Sequence, residues 1–279
     1  MNMRRLKMGL NTVLGLKKQG FFIPYRYAGS PSPLANRTHY PAILAHMQKS
    51  IETQTRFLEE MSAYAEEFSS VGKTPPPEPR WEQDWFPRLD GAAAYKMVRD
   101  IAPKNIIEVG SGHSTRFMAR AIKDGGLQTN FTAIDPAPRA DISKLDVTIL
   151  NKTVQEVDPT TFDLLQPNDI LFIDSSHIAM PGTDVDMLIL DILPRLPAGV
   201  YVHIHDIFLP FSYPKSWAWR GYNEQQMVAP LLTSGGYELL FSSQFVFNEM
   251  KDVLGKSKLA KLPLLPGAME TSLWLRKST

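Results

Sequence analysis

Between residues 42 and 68 apolar side chains recur at three- and four-residue steps: Leu44, Met47, Ile51, Leu58, Met61, Ala65 and Phe68, with Glu, Gln and Lys between them. That spacing predicts one amphipathic helix. The run GKTPPPEP at 72–79 stops it and makes a stiff connector. Before it, residues 1–40 read as a basic, aromatic, loop-like stretch that runs into SPSPLANRTHYP. Residues 1–75 are therefore expected to form an N-terminal helical arm, which packs on the main domain, meets a second copy of the chain or covers a site.

From residue 80 the pattern changes. Helical periodicity at 91–101, 115–123, 184–196 and 223–232 alternates with short apolar runs at 105–109, 131–134, 147–150, 170–173 and 200–204. The run ILFI at 170–173 lies between Asp169 and Asp174 and is apolar throughout, as a strand buried on both faces is. Strands alternating with helices predict an α/β fold with a doubly wound parallel sheet over residues 80–279. The end departs from this alternation. A β-rich run at 237–248 and a last strand at 271–275, joined through 251–265, predict an antiparallel hairpin at one sheet edge.

Composition narrows the function classes. The 279 residues carry 30 Lys and Arg against 29 Asp and Glu, so the charge gives no case for a nucleic-acid partner. Cysteine is absent, which excludes disulfides, zinc–thiolate sites and Cys nucleophiles and fits a cytoplasmic protein. The basic N-terminal stretch has only a short apolar run, broken by Asn11 and Thr12, and no small-residue cleavage site, so it does not read as a signal peptide. No stretch approaches the roughly 18 apolar residues of a membrane span.

The sequence IIEVGSGHST at 106–115 takes a strand into a glycine turn and then a helix. Such a turn lets the backbone approach a ligand and aims helix N–H groups at its polar end. A dinucleotide fingerprint wants a third glycine where Thr115 stands. Glu108, two residues ahead of Gly110, would repel a pyrophosphate but suits a ligand carrying an ammonium and a sulfonium. Asp135, at the end of the next strand, can accept from both hydroxyls of a ribose, or else make an Asx turn before Pro136. Two further clusters end strands: Asp174-Ser175-Ser176-His177 and His203-Ile204-His205-Asp206. Ligands of open α/β sheets bind outside the carboxyl ends of the strands, so the turn and both clusters are expected to converge on one crevice. Within it, Asp174 could hold an amino group or orient an acceptor. His177 or His205 could take a proton at neutral pH, with Asp206 or Asp174 orienting the base, while His203 lies inside its strand as a core residue.

The runs EVGSGHST, AIDP, LFIDSSH, GVYVHIHDIF and SLWLRK together make residues 80–279 resemble a class I S-adenosylmethionine-dependent methyltransferase, most similar to the bacterial methyltransferase family 24 group. The resemblance implies a Rossmann-like, seven-stranded sheet with a reversed final strand. It also implies S-adenosylmethionine as cofactor, with contacts at Glu108, Gly110, Ser111, Gly112, Asp135 and Asp174, and Gln155 near the adenine. Ser114 stands where many members have a third glycine. Catechol-type relatives hold magnesium through two acids and a following Asn or Asp. Here Ile207 follows Asp206, so no metal is favoured, and Asp174, His205 and Asp206 would be the ligands if one bound.

After Asp206 comes an aromatic stretch, 208–222, in which Tyr213, Trp217 and Trp219 are the candidate walls for a flat acceptor or a sugar face. Tyr25, Arg26 and Tyr27 of the arm are further candidates for the acceptor side. The leading expectation is O-methylation of a small molecule or sugar hydroxyl by in-line displacement. The alternatives are an NAD-dependent oxidoreductase on the same fold and an inactive scaffold that forms homo-oligomers through the 42–68 helix.

Overall fold

The computed structural model describes residues 3–30, 37–138 and 141–279. The chain forms two compact units, Met1–Arg37 and Thr38–Thr279. In the first, helix α1 (Met3–Val13) replaces the expected loop. Met3, Leu6, Leu10 and Val13 recur at helical steps among Arg4, Arg5 and Lys7, and none of the helix is buried. Residues 31–36 of the Pro-rich stretch lie outside the described residues.

The expected helix at 42–68 is three helices, α2 (Pro41–Met47), α3 (Ile51–Met61) and α4 (Ala65–Ser70), joined by single tight turns. At each joint a serine hydroxyl donates back to a helix carbonyl, Ser50 to Met47 at 2.6 Å and Ser62 to Leu58 at 2.8 Å, and so tightens the turn. Met47, Leu58, Met61 and Phe68 are buried, and Phe57 stacks on Phe241 with ring centroids 4.6 Å apart. The apolar face read as one that meets the main domain or another chain is thus inside the core of the Thr38–Thr279 unit.

Helix α5 (Arg88–Ile101) starts three residues before the periodic segment. Its cap comes from far along the chain: Glu270 accepts from the Leu89 N–H at 2.7 Å and pairs with Arg88. Next come β1 (Asn105–Val109), α6 (His113–Gly125), β2 (Asn130–Ile134), β3 (Thr148–Leu150) and β4 (Ile170–Ile173). The helix expected at 184–196 is α7 (Asp184–Met187), a wide turn over Leu188–Ile192 and α8 (Leu193–Arg195). Pro194 cannot donate to the preceding turn, which explains the widening. Then follow β5 (Tyr201–Ile204), α9 (Gln225–Thr233) and β6 (Tyr237–Ser242). The β-rich run at 237–248 ends at Ser242, whose hydroxyl accepts from the Phe245 N–H and caps α10 (Ser243–Glu249). Helix α11 (Lys251–Lys256) leads on to β7 (Leu273–Lys277).

The described residues form one seven-stranded sheet in the order β3-β2-β1-β4-β5-β7-β6. Strands β1 to β5 are parallel, and β7 runs antiparallel to both β5 and β6. The doubly wound, seven-stranded sheet and its reversed strand are as expected, and the late hairpin is seated with β7 inside the sheet and β6 at the edge. Strand order reverses at β1 and β4, where a crevice opens. The register pairs Val109 with Ile134 and with Ile173, and Ile173 with Ile204. Gly110, Asp135, Asp174 and His205 therefore leave the sheet at one level.

Candidate active site

A cavity of about 980 Å³ lies over that level. Gly110, with φ +81°, begins its floor, and a Cβ there would come within 1.9 Å of the Asp174 carbonyl oxygen. The need for glycine at 110 comes from the neighbouring strand. Gly112 differs: it lines the cavity and a Cβ on it would meet no atom within 4 Å, so it leaves space for a ligand. Glu108 does not reach the cavity wall. It is wholly buried, accepting from Ser114 Oγ at 2.5 Å and Thr115 Oγ1 at 2.6 Å, and Thr115 Oγ1 in turn accepts from the Gly112 N–H at 2.9 Å. The carboxyl expected to touch the cofactor instead holds the turn to the first turn of α6. Burial pushes it up to about 8, against the pull of the two hydroxyls.

Asp135 lines the cavity and holds the turn from the other side, accepting from Ser111 N at 2.8 Å and Ser111 Oγ at 2.9 Å. Its other oxygen accepts from the Ala137 N–H at 2.8 Å, so the Asx turn is also present. Gln155 is at the cavity wall and donates to the Gly182 carbonyl at 3.3 Å.

The two histidine-bearing clusters do meet. His177, in the left-handed region at φ +60°, is buried, and its carbonyl accepts from the N–H groups of Asn223 and Glu224. Its Nδ1 is 2.8 Å from Glu224 Oε2, and its Nε2 lies 3.3 Å from Asp174 Oδ1 and 3.4 Å from Asp206 Oδ2. Burial alone would keep this ring neutral, but the Asp174 and Glu224 hydrogen bonds, with the charge of Asp206, push its pKa well above the usual histidine value. Three carboxylates around one ring favour the imidazolium. Glu224 lies within the 223–232 segment, but nothing in the sequence ties it to a residue 47 positions earlier.

His205 is also buried, and its Nε2 donates to the Trp85 carbonyl at 3.1 Å. Its Nδ1 is buried without a hydrogen-bond partner. Burial lowers its pKa, yet the charges of Asp174, Asp206 and Asp90 leave it raised overall. Asp206, at φ +55°, accepts from Thr271 Oγ1 at 3.1 Å. His203 is a core residue, stacked on Phe172 at 3.7 Å and bonded through Nε2 to Ser272 Oγ at 2.9 Å. Among the described residues no three His, Asp or Glu side chains are gathered to hold a metal ion.

Of the three candidate aromatic walls only Trp217 lines the cavity, with the Arg220 guanidinium 3.9 Å from its ring centroid. Tyr222 lines it too, 4.6 Å from the His177 ring. Tyr213 stands behind them against Phe208, its hydroxyl accepting from the Gln225 N–H, and Trp219 is 60% exposed, off the wall. Of the six rings of the loop only Trp217 and Tyr222 line the cavity, a choice that composition does not reveal. Arg80, His113 and Arg116 also line the cavity. His113 and Arg116 follow the glycine turn on the first turns of α6, yet nothing in their spacing marks them as wall residues.

Residues 107–207 match the family described as "Methyltransferase domain". The matched stretch runs from β1 to the residue after Asp206, and so includes the glycine turn and both histidine-bearing clusters. No curated protein matches the sequence. Among solved structures, the chain is similar to SAH-bound methyltransferase PaMTH1 of Podospora anserina, at 16% identity and a TM-score of 0.45 over 93% of this chain and 100% of that one. It is also similar to the plantazolicin methyltransferase BpumL in complex with a triazolic desmethylPZN analog and SAH, at 13% identity and a TM-score of 0.39 over 80% and 98% of the two chains. Likenesses of this size assign no activity by themselves. No helix among the described residues is long and apolar enough to cross a membrane.

Proposed function

We propose that the protein is an S-adenosylmethionine-dependent methyltransferase that methylates a hydroxyl oxygen on a small molecule or sugar. The observation that carries this reading is the single level at which the glycine turn, Asp135, Asp174 and His205 leave the sheet around one cavity. The residues present suit the cofactor. Gly112 leaves room beside the turn, Asp135 has lone pairs for ribose hydroxyls, Gln155 offers an amide at the cavity wall for an adenine edge, and Asp174 can accept from an ammonium.

When bound, the cofactor supplies a methyl group activated by its sulfonium. The chain aligns the acceptor, excludes water and takes up a proton. His205 is the fitting base: with its Nε2–H bonded to the Trp85 carbonyl, its Nδ1 is the ring nitrogen free to accept. Asp206 lies 3.8 Å from His205 and favours its protonated form once the proton has moved. His177, held as a cation, balances Asp174, Asp206 and Glu224. Trp217 and Tyr222 give the acceptor side apolar walls.

Calorimetric titration with S-adenosylhomocysteine and with NAD tests the donor. Binding of the first alone supports the reading, and binding of NAD alone overturns it in favour of an oxidoreductase. Transfer of a labelled methyl group from S-adenosylmethionine to a panel of phenols and sugars tests the acceptor. Label found only on amines would overturn O-methylation.

A further inference from the structure

The near-neutral balance of the whole chain conceals a polarised start. No Asp or Glu precedes Glu52, whereas Arg5, Lys7, Lys17, Lys18 and Arg26 fall within the first 30 residues, all of them exposed. The same segment carries apolar side chains in a definite arrangement. On α1, Met3, Leu6, Leu10 and Val13 share one stripe at steps of three and four, and Met3, Leu10 and Val13 are more than half exposed. Lys7 flanks the stripe and Arg5 lies farther round the helix. The chain beyond α1 folds back on polar positions off the stripe. Gln19 donates its backbone N–H to Thr12 Oγ1 at 3.0 Å and accepts through Oε1 from Asn11 Nδ2 at 2.7 Å. The stripe is left open, and the fold-back leads to Phe21, Phe22 and Ile23, which are exposed as well.

An ordered apolar stripe left in water marks a surface that meets a partner, and here its charge selects which one. We propose that residues 3–27 attach the protein to a bilayer containing anionic lipid. The stripe and the two phenylalanines enter the boundary between headgroups and acyl chains, while the Lys and Arg heads reach the lipid phosphates and carboxylates. Helix α1 has 11 residues and is about 16 Å long, roughly half the thickness of a hydrocarbon core, so it lies along the surface. A nucleic acid would answer the charge but leave the aliphatic stripe in water. Two copies meeting stripe to stripe would cover the apolar side chains but bring together basic segments with no acid of their own. An anionic bilayer answers both needs at once. The attachment uses residues separate from those of the cavity and does not depend on what the cavity binds.

The test is co-sedimentation of the full-length protein with vesicles of phosphatidylcholine alone and of phosphatidylcholine mixed with phosphatidylserine. Each Lys or Arg near an anionic surface strengthens attachment about fivefold, so the mixed vesicles should be bound at least about tenfold tighter. High salt should remove that preference. The combined variant Lys7→Gln, Lys17→Gln and Lys18→Gln should bind the mixed vesicles about tenfold or more weakly. Leu10→Ser with Val13→Ser keeps every charge and should also weaken binding, because attachment scales with the apolar area buried. All five side chains are exposed, so an unchanged melting midpoint shows that each variant is folded. No attachment to the mixed vesicles, or attachment that neither variant alters, would overturn the proposal. Binding of duplex DNA in place of vesicles would overturn it as well. So would a dimer that binds no vesicles and that Leu10→Ser with Val13→Ser splits, since the stripe would then belong to a second copy.

Discussion

His177 Nδ1 lies 2.8 Å from Glu224 Oε2, two fully enclosed side chains brought together at the first turn of α9. The contact sets the charge state of the site, because it turns one face of the imidazole to Glu224 and leaves the other to Asp174 and Asp206. Removing one partner of such a pair strands the other's charge. Glu224→Ala should therefore destabilise the protein by about 3–5 kcal/mol in urea titration, and Glu224→Gln, which keeps the shape and an acceptor, by less. An unchanged midpoint in the alanine variant would show that the pair is not charged.

Base catalysis through His205 has a signed pH dependence. The neighbouring acids raise its pKa above 6.5, and the neutral ring is the active form. The kcat/KM should climb with pH through an apparent value above 6.5, belonging to the coupled His205–His177–carboxylate group. His205→Asn should lower kcat by about 10²–10⁴-fold while S-adenosylhomocysteine still binds. A flat profile in the wild-type protein, with active His205→Asn, would remove His205 from the chemistry.

Stability should fall as pH rises, and Glu108 is one source. Its folded pKa of about 8 stands above the usual 4.5 of a glutamate, so the folded state holds a proton that the unfolded chain releases. Its contribution is present below pH 4.5 and lost as pH rises through 8. Thermal melts at pH 5, 6.5 and 8 should show the trend, and Glu108→Gln should flatten it. Equal slopes in the two proteins would place the titration elsewhere.

The two glycines of the turn should separate folding from binding. Gly110→Ala drives a methyl into the Asp174 carbonyl and is expected to lower the Tm sharply. Gly112→Ala meets only cavity space, so its Tm should stay near that of the wild-type protein while S-adenosylhomocysteine binding weakens. A variant of Gly112 that binds as tightly as wild type would mean that the ligand passes elsewhere.

Trp217→Ala should raise the KM for acceptor, and Trp219→Ala should leave it near wild type, since only Trp217 reaches the cavity. Steady-state kinetics on both variants checks this, and equal effects would point to a general role of the loop.

The strands at 105–109 and 170–173 could be read to the residue: ILFI is an unbroken apolar run between two acids, as a parallel strand buried on both faces is, and NIIEV, though interrupted by Glu108, runs straight into the glycine turn. The residues that follow them, Gly110 and Asp174, were legible for the same reason. Local pattern failed where a distant group decides the outcome. Glu270 starts α5, a serine cap ends β6, and paired hydroxyls turn Glu108 from the cavity wall into a brace for the turn.

Within the sequence alone lay the order of the elements, the glycine turn and the acids and histidines at the strand ends, since periodicity and chain direction fix which residues leave a parallel sheet at its carboxyl edge. Only the tertiary structure chose among them. It brought Glu224 to His177, left His205 Nδ1 without a partner, turned Trp217 inward and Trp219 out, and set Arg80, His113 and Arg116 along the cavity wall. Those relations depend on burial and on charges tens of residues apart, and neither quantity is written in the spacing of side chains along the chain.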